Sequence, residues 1–270
     1  MKNTQLTESH QQRAAALKLH GLLAHWTELD PQGVNTITQL LDWEEQERGQ
    51  RGLQRRLNNA KLGRYKPLTD FDWKWPKRID HNLILELMKL HFIAEHSNVV
   101  LLGPNGVGKS TIAQNLAYQA VLDGRSAIFT TAADMLNTLA ALDGANALKR
   151  KIKHYANPDV LVIDEVGYLS YANRQADLLF EIINQRYEKR STIITTNRAF
   201  GEWGEVFPNA ACVTSLIDRL LHHCDIVNIE GDSWRRKQSL ERASKRATTV
   251  KKTPPSRSSK KVSPNSKPQE

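Results

Sequence analysis

The chain has 270 residues, 40% of them hydrophobic, enough to bury the core of one ordinary domain with appendages or of two small domains. No stretch approaches the roughly 18 to 20 apolar residues of a membrane span and the start, MKNTQLTESHQQ, lacks a signal-peptide core, so a cytosolic protein without membrane contact is expected. The formal net charge of +9 is uneven: +3 over residues 1–80 (13 basic, 10 acidic), −3 over 81–230 (13 basic, 16 acidic) and +9 over 231–270 (12 basic, 3 acidic), a mildly acidic middle between ends suited to a polyanion such as DNA.

In chain order, Leu19, Leu22, Leu23, Trp26 and Leu29 share one face of a helix predicted over residues 7–29. Asp30-Pro31-Gln32-Gly33 reads as its end. A second helix is predicted from Thr36, whose hydroxyl caps the first turn while Gln39 reaches back, towards Ala60. Lys66-Pro67 breaks the chain, and the aromatic-rich link Phe71-Asp72-Trp73-Lys74-Trp75-Pro76 follows. These segments define a helical N-terminal domain over 1–68 and a linker over 69–80.

From Asp80 onward, five apolar runs alternate with amphipathic segments: residues 99–102, 126–130, 160–164, 192–196 and 226–229. Continuous apolar runs of this length predict a five-stranded parallel sheet buried on both faces, within a domain spanning 81–243. Residues 244–270 are rich in Ser, Pro and Lys without apolar periodicity, which predicts a disordered basic tail. Cys212 and Cys224 match no CxxC spacing and are read as reduced and structural.

The first run leads directly into Gly103-Pro104-Asn105-Gly106-Val107-Gly108-Lys109-Ser110-Thr111, a complete GxxxxGK[ST] loop. Its glycines let backbone N–H groups turn inward around phosphate oxygens, and the following helix adds its positive end. Lys109 supplies a charge for the β- and γ-phosphates and Ser110 a hydroxyl for Mg²⁺. Val160–Ile163 then run into Asp164 and Glu165. On a regular strand adjacent side chains face opposite ways, so Asp164 is assigned to the magnesium side and Glu165 to the attacking water as general base. Asn197 ends another apolar run, as a turn residue or as a neutral group positioning that water. Arg219 lies on a predicted helix and Arg235 near the start of the last one, each a solvated charge or a cation for the γ-phosphate.

This ordered set, with the DRLLHH stretch at 218–223 and GDSWR at 231–235, resembles AAA+ proteins of the initiator type. LLFEIINQRYEKRSTIITTNRAFGEWGEVF, LIDRLLHHCDIVNIEGDSWR and the N-terminal LHGLLAHW are similar to IstB-like transposition helper ATPases from about Leu17 to Arg236. The resemblance implies a three-layer αβα AAA+ domain that binds and hydrolyses ATP with Mg²⁺, with Asn197 as sensor 1. It further implies Arg219 as an arginine finger acting on ATP held by a neighbouring subunit, and Arg235, or its neighbour Arg236, as sensor 2. The expected partners are double-stranded DNA, a transposase of the same element and further copies of the chain. A helicase loader of the same clade, a small-molecule P-loop kinase and a non-catalytic DNA-binding scaffold are the alternatives.

Arg48, Arg51 and Arg55, and separately Lys149, Lys151 and Lys153, form basic stripes able to contact phosphates without reading bases, or else solvated helix faces; the resemblance tilts both to DNA. His222, His223 and Cys224 are read as non-metal, because adjacent ligands on a helix diverge by about 100°.

Overall fold

The computed structural model describes residues 2–168, 170–208, 210–240 and 242, and within these the side chains of 2–8 and 210–212 are left aside. The predicted tail at 244–270 and the Cys212 side chain fall outside the described set.

Five strands form one parallel sheet: β1 (Asn98–Leu102), β2 (Ala127–Thr131), β3 (Val160–Val166), β4 (Ser191–Thr196) and β5 (Cys224–Asn228), in the order β2-β3-β4-β1-β5. Strand β1, between β4 and β5, runs Val99 beside Ile193 of β4 and Asp225 of β5. The apolar runs are continuous because each strand feeds two cores by alternation. Val99 and Leu101, Val160 and Val162, and Ile193 face one; Val100, Leu161 and Ile163, and Ile194 face the other.

The first core is closed by α4 (His81–Leu87), α5 (His91–Ala94) and α6 (Lys109–Leu122). The second is closed by α7 (Ala132–Ala140), α8 (Ala145–Ala156), α9 (Asn173–Arg186), α10 (Trp203–Val206) and α11 (Ala210–Leu221). The result is the expected three-layer αβα arrangement. Residues 234–240 are also helical.

The N-terminal part contains α1 (Lys2–Ala16), α2 (His20–Ala24) and a 30-residue α3 (Pro31–Ala60). The single helix expected over 7–29 is broken at Lys18, which adopts φ 56°. Leu19 N–H donates to Ala14 and Lys18 N–H to Ala15, both at 2.9 Å, the paired bonds of a Schellman cap built on a residue other than glycine. The start expected at Thr36 moves to Pro31. Asp30 Oδ1 accepts from Gly33 N at 2.6 Å, Pro31 occupies the first turn, and Thr36 Oγ1 bonds Gln32 O inside the helix. Asp-Pro therefore opens the second helix as well as closing what precedes it. Asp30→Ala is expected to cost about 1 kcal/mol of stability, read as a lowered denaturation midpoint.

At about 1.5 Å per residue α3 is about 45 Å long, and it belongs to two clusters. Leu41 packs with Ala14, Leu17 and Trp26, whereas Leu53, Leu57 and Ala60 join the core beneath the sheet. The chain that leaves α3 is pinned by Asn115 of α6, which accepts from Tyr65 Oη and Leu68 N and donates to Lys66 O at 2.8–2.9 Å.

Candidate nucleotide site

The Gly103–Ser110 loop hangs from three strand ends. Gly103 N donates to Thr196 O, Leu102 O accepts from Ile229 N, and a side chain on Gly103 would meet the Ile229 carbonyl at 2.2 Å. Gly108 caps α6 at φ 104°, and a Cβ there would meet the Phe71 ring at 2.4 Å. Glycine is required at both, once for space and once for space and conformation.

Lys109 opens α6 almost fully buried. Its ammonium donates to Gly103 O at 2.7 Å and Pro104 O at 2.8 Å. Burial depresses its pKa, Asp164 and Glu165 pull it back up, and Arg235 pushes it further down. A bound polyanion would relieve this strain between cations.

Asp164 is 6% exposed, and its Oδ1 accepts from Ser110 Oγ at 2.9 Å and from Thr195 Oγ1. Glu165 is exposed with φ 61°, in the left-handed region. The pairing of β3 with β4 steps from Ile163↔Ile194 to Val166↔Thr196, so one extra residue bulges here. The divergence of the two carboxylates thus comes from a left-handed bulge, and the regular-strand alternation expected from sequence is corrected accordingly. Thr195, missed from sequence, joins them: its Oγ1 donates to Asp164 and accepts from Glu165 N at 2.9 Å.

Lys109, Ser110, Glu165 and Thr195 border a cavity of about 410 Å³, and Asp164 stands behind Ser110 and Thr195 rather than on its wall. Asn105 to Thr111, Glu165, Asn197 and Arg235 line it, and Arg236 does not. The opposite wall comes from the segment after α3, with Arg64, Lys66, Phe71, Asp72 and Trp75, and from Trp234. Sequence reading took 71–76 as a link; its density of aromatic residues was the signal of a ligand wall.

Arg219 lies apart from this chain's own cavity. Its guanidinium stacks 4.7 Å above the Phe180 ring, and its buried Nη1 has no hydrogen-bond partner among the described residues. On α3, Arg48 pairs with Glu44 and Leu17 O, and Arg51 pairs with Glu47, leaving Arg55 exposed without an ion pair among the described residues. On α8, Lys149 and Lys153 are exposed without such pairs, while Lys151 lies 5.3 Å from the Tyr155 ring. Burial, then Lys151 and Lys61, lower the His154 pKa, so the charge of Lys61 at the end of α3 reaches α8.

His222 and His223 sit beyond the end of α11, so the helical divergence expected for them does not apply. Their rings are 4.1 Å apart, with Glu188 close by, and Tyr187 Oη already occupies His222 Nδ1 at 2.9 Å. Burial raises the Cys224 thiol to about 12, an inert group. Among the described residues, no helix is long and apolar enough to cross a membrane.

The donor set fits a nucleoside triphosphate. Two cations, Lys109 and Arg235, converge on a cavity of ordinary ligand size, and the hydroxyl and carboxylate of Ser110 and Asp164 are hard oxygens suited to Mg²⁺. Sheet order, loop and carboxylate pair define the class, an AAA+ P-loop protein. The chain belongs to the IstB-like ATP binding proteins, whose family pattern matches residues 12–242. It is 40% identical over 191 residues to an ATP-binding protein of insertion sequence IS21 from Pseudomonas aeruginosa, covering 71% of this chain and 72% of that one. It is 37% identical over 199 residues to the corresponding protein of IS5376 from Geobacillus stearothermophilus, covering 74% and 79%. In fold it matches the crystal structure of DnaI with a TM-score of 0.53 at 16% identity, over 63% of this chain and 93% of that one.

Proposed function

We propose that this protein is an ATP hydrolase that assembles on double-stranded DNA and serves the transposase of an insertion sequence. The carrying observation is the Thr195-linked pair, Asp164 beside Ser110 and Glu165 on the cavity wall. The insertion-sequence names of its relatives support the transposase as partner.

When bound, Mg²⁺ supplies charge neutralisation on the β- and γ-phosphate oxygens. Ser110 Oγ and the Asp164 carboxylate would hold it. Lys109 leaves the Gly103 and Pro104 carbonyls for the phosphates, and backbone N–H groups of the loop through Thr111 cradle them. Glu165 takes the proton of the attacking water, which Asn197 orients, while Arg235 adds positive charge at the phosphate end. Arg219, which does not line its own chain's cavity, acts on the ATP of a neighbouring copy, so ATP sits between subunits. Lys149, Lys151 and Lys153, with Arg55, contact DNA phosphates; Arg48 and Arg51 contribute less, because their charge is already paired.

The test is to size the protein with ATP, with ADP and without nucleotide, each with and without duplex DNA. ATP-dependent growth on duplex is expected, whereas a monomer under every condition would overturn the assembly. Preference for single strands would point instead to the helicase-loader alternative.

A further inference from the structure

Two segments far apart in sequence meet beside the cavity, to whose wall they contribute Trp75 and Trp234. Arg78 and Glu230 exchange backbone hydrogen bonds at 3.2 and 2.9 Å, and Trp75 Nε1 donates to Asp232 O at 2.8 Å. The Trp75 and Trp234 rings meet edge to face at 5.4 Å. Lys237 Nζ sits 4.2 Å from the Trp75 centroid, 4.5 Å from that of Trp234 and 3.9 Å from the Asp72 carboxylate. On its other side Trp234 N donates to Gly106 O of the P-loop at 2.9 Å.

This cluster holds the helix at 234–240, which carries Arg235 into the cavity. Most helical stability in proteins comes from tertiary packing, so the position of Arg235 is set by these docking contacts. The docking partners on one side, Asp72 and Trp75, belong to the same segment that leaves α3 and lines the cavity.

We infer that Trp75 and Lys237 are positioning residues for Arg235, which reaches the terminal phosphate of the nucleotide only while the 71–78 segment is latched to 230–237. Discrimination between ATP and ADP is then coupled to the segment that joins the helical N-terminal part to the sheet. This rests on the reading that the cavity takes ATP with Arg235 at its phosphate end. A cation held between two indoles is worth more than a solvated one, and its loss frees the helix without removing any group from the cavity wall near the phosphates.

The test is a double-mutant cycle on the full chain, with ATP and ADP affinities measured by calorimetry and folding followed by melting temperature. Lys237→Ala is expected to weaken ATP about tenfold, equivalent to about 1.4 kcal/mol, and ADP far less. Arg235→Ala should do the same, and Lys237→Ala in that background should add little. Lys237→Arg should restore ATP affinity, since a guanidinium also stacks on indole. Trp75→Ala, which also removes part of the cavity wall, should show the same bias against ATP on top of any loss common to both nucleotides. Additive losses in the cycle, or equal weakening of ATP and ADP, would overturn the inference. Loss of ATP binding in Lys109→Ala is the separate control: if that variant still binds ATP, the reading of the cavity fails whatever the latch does.

Discussion

Glu165→Gln is expected to lower ATP turnover by about 10²- to 10⁴-fold, the usual contribution of a general base, while leaving ATP affinity close to that of the parent chain. The amide keeps the size and the hydrogen-bonding reach of the side chain but takes no proton. Affinity should survive because the phosphate-binding groups, Lys109, Ser110 and the loop amides, do not depend on Glu165. In the proposed cycle the variant therefore accumulates as an ATP-bound assembly on DNA. Single-turnover hydrolysis and nucleotide affinity, measured side by side, decide the matter, and parental turnover in the variant would remove Glu165 from the role of base. Its backbone adds a second, independent signature. Glu165 is held at φ 61°, a conformation that costs a residue with a Cβ about 1–2 kcal/mol. Glu165→Gly should thus abolish turnover without lowering the melting temperature. Strain located at the group proposed for chemistry is a common mark of a functional position.

How much of this was legible beforehand depends on how local each signal is. The sheet was readable because burial on both faces writes each strand as an unbroken apolar run, such as Val99 to Leu102. The phosphate loop was readable because its glycines, lysine and serine are contiguous. Asp164 and Glu165 were visible as a pair, yet their geometry was not. The bulge depends on a register between β3 and β4, and no residue type at 165 announces a left-handed backbone. Phe71 and Trp75 were visible as an aromatic cluster without a destination, since their contacts with the loop and with Trp234 span tens to more than a hundred residues. Asp30-Pro31 carries one local signal with two outcomes, the end of one helix and the cap of the next. Lys18 shows a helix stop with no glycine or proline to mark it. Arg48 and Arg51 looked like free cations until their turn-neighbours Glu44 and Glu47 were seen to pair with them.

Thr195 is the residue on which the coupling between the two carboxylates converges, and its replacement carries the second large expected effect. Its hydroxyl is fully buried, donates to Asp164 and accepts from Glu165 N. Valine conserves the shape but removes both bonds, leaving the part-buried Glu165 N–H without this acceptor and the buried Asp164 carboxylate without one of its two side-chain donors. Such a buried loss costs about 1–3 kcal/mol, so Thr195→Val should lower stability by that order. The functional loss should be larger than the stability loss implies. Once the hydroxyl is gone, no side-chain hydrogen bond bridges the bulge carrying Glu165 and the carboxylate beside Ser110, and only the strand pairing holds them. If that tie is what aligns base and metal side, turnover falls on the order of 10- to 100-fold, at about 1.4 kcal/mol per tenfold. ATP affinity should change much less, because Lys109 and the loop are untouched. Thr195→Ser keeps the hydroxyl and should recover most of the turnover while retaining a small packing defect. A valine variant that turns over ATP like the parent chain, or a serine variant as impaired as valine, would show that the two carboxylates are aligned by the strands alone.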